Sequence, residues 1–138
     1  MTESPTIVQL CERFRAAQRE NLSPQAYQRL AAAMDLFDCY LDRFAYSVLE
    51  GAERQRWQAA YDRDDDRAFA NLFGAEHLFR AVDFFLEWYL PKRLQASPEV
   101  RENSRQVMQQ LLAWVESLGF SRPKPAAKPA EPSGTAQV

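Results

Sequence analysis

Phe84-Phe85-Leu86-Glu87-Trp88-Tyr89-Leu90-Pro91, then Ser97-Pro98 and an apolar pattern running to Leu118-Gly119-Phe120, is the stretch on which the fold turns. Leu78, Phe79, Val82, Phe85, Leu86 and Tyr89 share one face at helical spacing. The spacing predicts a helix over 75–90. Pro91 should end it, because proline has no N–H to donate and its ring meets the carbonyl four residues back. Ser97-Pro98-Glu99 then supplies a cap, a first-turn proline and a first-turn acid. Val100, Val107, Met108, Leu111, Trp114, Val115 and Leu118 form the buried face of the helix that follows, and Gly119 with Phe120 suits its C-terminal cap. These are two helices of one bundle.

The chain before them repeats the pattern. Ser4-Pro5 reads as a cap and first helical residue for Ile7, Leu10, Cys11, Phe14 and Ala17, with an end near Asn21. Ser23-Pro24 opens a second helix whose stripe runs Tyr27, Leu30, Met34, Phe37, Leu41, Phe44 and Val48. Ala31, Ala32, Ala33, Leu36, Cys39 and Tyr40 widen that stripe. A helix this apolar touches several neighbours, so residues 24–48 are predicted as the long central element, about 37 Å in length. Gly51 interrupts. Ala52 to Tyr61 presents Trp57 and Tyr61, with Arg54 and Arg56 outward. Asp62–Asp66 reads as a solvated turn whose aspartates cap a short helix through Phe69, Leu72 and Phe73, ended by Gly74. Trp88 precedes Ser97-Pro98 by nine residues, as Phe14 precedes Ser23-Pro24, an echo best read as shared helix punctuation. No alternating run with a hairpin turn suggests a strand. The expectation is an all-α, compact bundle of about five to six helices over residues 1–120, with a Pro/Ala-rich disordered tail over 121–138.

Composition narrows the functional classes. The 138 residues fit one domain, and no apolar run approaches the roughly 20 residues of a membrane span. The N-terminus has no basic flank or cleavable apolar run, so a cytoplasmic location is the default expectation. Cys11 and Cys39 with a single histidine are too few for a four-ligand zinc site, and both are expected as free thiols. Residues 121–138 carry a charge of +2, which leaves 14 basic and 18 acidic residues in the body. A body at −4 is a poor partner for a polyanion except through a local basic face.

The candidate chemistry is sparse. Asp35, Asp38 and Asp42 share a helix face, a pattern that metal or acid–base chemistry would use, but the commoner meaning is a solvated stripe with Arg43 beside it. Asp62–Asp66 lacks both the glycine and the bidentate glutamate of a calcium loop. His77 beside Glu76 has no accompanying nucleophile motif and reads as a surface or partly packed residue. The best basic patch is Lys92 and Arg93, just before a helix start, with Arg101 and Arg105 on the helix itself. Phe84 and Trp88 lie slightly off the Phe85–Tyr89 face and are candidates for contact with a neighbouring helix or a partner chain. No cofactor is called for.

Leu22-Ser23-Pro24-x-x-Tyr27-x-Arg29, opening a long helix, resembles the helical, SAM-like N-terminal core-binding domain of phage-integrase-type tyrosine recombinases. Phe73-Gly74-Ala75-Glu76, Phe85-Leu86-x-x-Tyr89-Leu90-Pro91-Lys92-Arg93 and Trp114-Val115-Glu116-x-x-Gly119 are similar to small uncharacterised helical proteins of that layout. The resemblance covers about residues 6–120 and implies a helical module of the kind that clamps DNA in recombinases, without their catalytic part. The leading expectation is a non-catalytic, soluble interaction module with a protein partner or a second copy of itself. A DNA-binding module using Lys92, Arg93, Arg101 and Arg105 is the alternative, and a metal-dependent enzyme using the aspartates stands third.

Overall fold

Thr6, not Ser4, starts the first helix. Its hydroxyl accepts from Gln9 N–H at 3.1 Å while the Gln9 side chain accepts from Thr6 N–H at 3.0 Å, a reciprocal capping box. Pro5 therefore lies outside the helix, correcting the expected Ser4-Pro5 start. The computed structural model describes residues 4–123. Among them the order is α1 (Ile7–Asn21), α2 (Pro24–Arg43), a 3₁₀ turn (Ala45–Val48), α3 (Gly51–Asp62), α4 (Ala68–Leu72), α5 (Ala75–Phe84), a π-helical segment (Phe85–Arg93) and α6 (Pro98–Ser117). The all-α bundle is as expected. Ser23 and Ser97 cap α2 and α6 alike, each accepting from the N–H three residues on at 3.2 Å with proline next in line. These two 20-residue helices pack on one another along the bundle.

Two expectations about helix ends are corrected. The central helix stops at Arg43, so α2 is about 30 Å long. Beyond it Ser47 turns the chain by donating both its N–H and its hydroxyl to the Phe44 carbonyl, at 3.2 and 3.0 Å. Pro91, in turn, does not end its helix. The chain widens into π geometry from Phe85, and Pro91 sits inside the widened segment. Its exit is marked by Leu94 N–H reaching Tyr89 C=O at 2.7 Å, five residues back. An α-helical Pro91 would drive its ring into the Glu87 carbonyl; the wider turn moves that carbonyl out of the ring's path.

Along the widened segment Trp88, Tyr89 and Leu90 are all buried. The rings of Phe85, Trp88 and Tyr89 interleave with a row from α2. Phe37 meets Phe85 edge-on at 5.1 Å, Tyr40 packs on Phe85 and Tyr89 at 5.6 and 5.4 Å, and Phe44 lies between Trp88 and Tyr89 at 5.6 and 5.5 Å. Burying each such side chain contributes about 1.5–3 kcal/mol. Phe14 extends the core to α6 by packing on Trp114 at 5.7 Å.

Two termini are tied to the bundle. Ile7 N–H donates to Phe73 C=O at 2.8 Å, and Thr6 and Gly74 form an isolated antiparallel bridge. A side chain at Gly74 would place its Cβ 2.7 Å from the Pro5 carbonyl oxygen, so this crossing needs glycine. At the other end Gly119, with φ +104°, closes α6 as expected, its N–H donating to Glu116 C=O at 3.0 Å. Arg122 then donates to Asp83 at 2.8 Å and lies over the Phe79 ring, so the chain stays packed past residue 120. The rest of the expected tail, from residue 124, lies outside the described residues.

Two substitutions test this packing. Gly74→Ala should force the N-terminal strand of contacts apart and cost about 1–3 kcal/mol, read from the urea midpoint. The Tyr40 hydroxyl is buried with no partner among the described residues. Tyr40→Phe should therefore raise stability, by about 1 kcal/mol, in a thermal melt.

Candidate functional site

The basic patch anticipated around the α6 start is not one surface. Arg93 lays its guanidinium over the Phe44 ring at 5.2 Å, toward the end of α2. Arg101 and Arg105 instead line a groove of about 300 Å³ with Leu86, Leu90, Pro98 and Glu102. Arg105 forms an ion pair with Glu102, whose carboxyl is held below its ordinary value by the hydrogen bonds from Arg105 and Gln106. Lys92 is exposed beside Arg93 on the π-helical segment. Arg93 and the α6 arginines thus serve different surroundings, and the four cations do not form one surface.

Phe84 and Trp88 are core, which corrects the expectation of a partner contact there. Each is 6% exposed; they stack on one another at 5.3 Å, and Trp88 meets Phe44. Of the two alternatives, contact with a neighbouring helix is the one realised.

The three aspartates of α2 have different surroundings. Arg15 reaches across from α1 and donates to Asp35 at 3.1 Å and to Asp38 at 2.7 Å. The expected companion, Arg43, takes neither. Burial pushes the Asp38 carboxyl above its ordinary value, while Arg15 pulls it back. Asp42 makes no ion pair among the described residues. No group of three or more His, Cys, Asp and Glu among those residues has metal-holding geometry.

In the Asp62–Asp66 turn, Arg63 pairs with Asp65 and Arg67 with Asp66, at 2.8 and 3.3 Å. The residue before α4 is Arg67, in the left-handed conformation at φ +44°, so no aspartate caps that helix. The turn is held from the other side, by Asn71 donating to the Asp66 carbonyl at 2.8 Å. His77 is buried, packs on the Phe73 ring at 4.4 Å and faces Glu53 of α3 at 3.0 Å. Its neighbour in sequence, Glu76, is not that partner.

One site was only half visible in the sequence. Tyr46, Trp57 and Tyr61 stack in series, ring centroids 4.7 and 5.0 Å apart and planes within 15° and 25°. Trp57 and Tyr61 share a helix face at four-residue spacing, whereas the apolar periodicity places Tyr46 in a continuation of α2. It reaches Trp57 only because the chain turns after Arg43. Arg54 covers the outer Tyr46 face at 4.7 Å, and Arg56, expected outward, lies over Phe73 at 5.4 Å. The stack borders a cleft of about 550 Å³ lined also by Asp42, Arg43 and Gln58. Trp57 is 6% exposed at its base and Tyr61 is 56% exposed at its mouth.

No family model matches the chain, and neither does any curated protein or solved structure.

The two thiols differ in kind. Burial, reinforced by Asp38, pushes Cys11 up to about 12. Cys39 is half-buried against the Tyr89 hydroxyl, with Arg43 and Arg93 nearby. Iodoacetamide should label Cys39 at least about tenfold faster than Cys11 in the folded protein, since reaction needs an accessible thiolate. Peptide mass spectrometry reads the two rates, which should converge in urea.

Proposed function

We propose that this chain is a non-catalytic interaction module that binds a protein partner through the cleft beside α3. The Tyr46–Trp57–Tyr61 stack, with Tyr61 exposed at the cleft mouth, carries the proposal. Tyrosine, tryptophan and arginine are the residue types that dominate binding energy at protein interfaces. Here they are ordered before any partner arrives: Trp57 anchors the stack in the core, and Arg54 is fixed over Tyr46. Such preorganisation lowers the entropic cost of association. Arg43 and Arg54 against Asp42 leave the cleft with a small positive excess. The matching partner offers a flat apolar group to the free Tyr61 face and a carboxylate to the arginines.

A non-catalytic role is also supported by where the reactive groups lie. Cys11 is buried in the core, and His77 is packed between Phe73 and Glu53. The DNA-binding alternative, which the likeness to recombinase core-binding domains favours, draws less support from a basic set divided between two faces.

A photo-crosslinking residue at position 61, with a second at 105 as control, tests the interface in cells. Adducts with one protein at position 61 and not at 105 are expected, and Arg54→Ala should reduce them. For the purified partner or the self-associated chain, Tyr61→Ala should weaken binding by about tenfold. Absence of position-specific adducts, together with a salt-dependent duplex shift lost in Lys92→Ala/Arg93→Ala, would reverse the order of the two readings.

A further inference from the structure

The aromatic cleft has a spacing that selects among ligands. Trp57 is buried behind it, and the rings it offers to solvent are half-buried Tyr46 and exposed Tyr61. Stacking distances of 4.7 and 5.0 Å in series put those two rings up to about 10 Å apart. A polyproline II segment, at three residues per turn and about 3.1 Å per residue, returns to the same edge about every 9 Å. A helix brings residues i and i+3 within about 5 Å along its axis, and same-face residues of a strand repeat at about 7 Å. Polyproline II is therefore the backbone whose repeat fits the two tyrosines. Proline-rich segments dock on aromatic grooves because that preformed shape loses little entropy on binding.

The chain contains one segment of this pattern, Lys128-Pro129-Ala130-Glu131-Pro132. Pro129 and Pro132 are the only two of its eight prolines that stand three residues apart. In polyproline II they share one edge, and Lys128 and Glu131 share the next. The cleft has matching charges: Arg43 and Arg54 for the acid, and Asp42 for the amine. Exposed pairs of this kind add little affinity and serve to fix the direction in which a segment lies.

The chain also passes close by. Arg122 is held by Asp83 of α5 at 2.8 Å. Arg80, one turn earlier on the same helix, donates to the Val48 carbonyl at 2.8 Å, in the 3₁₀ turn that carries Tyr46. The six steps from Pro123 to Pro129 reach about 19 Å at the polyproline II rise.

We infer that the cleft takes a proline-rich segment in polyproline II form, and that its occupant is Pro129-Ala130-Glu131-Pro132 of the same chain. The inference rests on the interface proposed at α3 and adds a competitor to it, since an outside partner has to displace the segment.

The test is NMR of the full chain at two concentrations tenfold apart, compared with Pro129→Ala/Pro132→Ala. The double substitution should move the Trp57 indole signal and the amides of Arg43, Tyr46, Arg54 and Tyr61, equally at both concentrations. A peptide of residues 128–133, added to that variant, should reverse the movement saturably, and the same peptide with alanine for both prolines should not. Tyr61→Ala in the variant should weaken the peptide at least about tenfold. Unchanged far-UV circular dichroism would show that the bundle is intact. Glu131→Gln in the peptide, which leaves the bundle untouched, should weaken it about threefold. No movement in the cleft, or equal binding of the alanine peptide, would overturn the assignment. Movement that grows with concentration would give the site to a second copy and overturn the same-chain contact. Position-61 adducts with an outside protein, found while the peptide fails to bind, would leave the interface standing and remove this occupant. Peptide binding without such adducts would support the occupant and remove the outside partner.

Discussion

Phe37, Tyr40 and Phe44 descend one side of α2 and interleave with Phe85, Trp88 and Tyr89 from the widened segment after α5. The rest of the bundle depends on this contact. The row on α2 has ordinary helical spacing. The opposing row comes from the π-helical segment, whose wider turn leaves room for the Pro91 ring. Leu90, next in line, borders the groove beside α6.

Around that core, polar contacts join elements that are remote in sequence. Arg15 ties α1 to α2, His77 faces Glu53 between α5 and α3, and Arg122 returns to Asp83 of α5. Solvent-facing ion pairs such as Arg122–Asp83 contribute about 0–1 kcal/mol each. Their effect is to orient faces already brought together by apolar burial. They also decide which acids stay available: Asp35 and Asp38 are occupied by a cation from another helix, and Asp42, one turn further on, is not.

The same logic governs the candidate surfaces. Lys92, Arg93, Arg101 and Arg105 look like one basic patch only while the turn between them is imagined as short and smooth. The π segment rotates Arg93 toward Phe44, and α6 carries its arginines to a groove with Glu102. The aromatic cleft arises in the opposite way. Tyr46 and Trp57, in different elements, meet because the 3₁₀ turn that carries Tyr46 leads the chain round to α3.

Local signals settled what the sequence by itself determined. Ser23-Pro24 and Ser97-Pro98 define two helix starts, Gly119 a helix end, and the apolar spacing an all-α bundle, because caps and periodicity act over a few residues. The tertiary structure decided what required comparing energies between distant parts of the chain. A proline clash is relieved by widening the turn. Trp88 becomes core against Phe44, and Phe84 stacks on Trp88. Glu53, not Glu76, faces His77, and Arg15, not Arg43, claims the aspartates. In each case the winning partner lies on another helix, where neither spacing nor propensity could point to it.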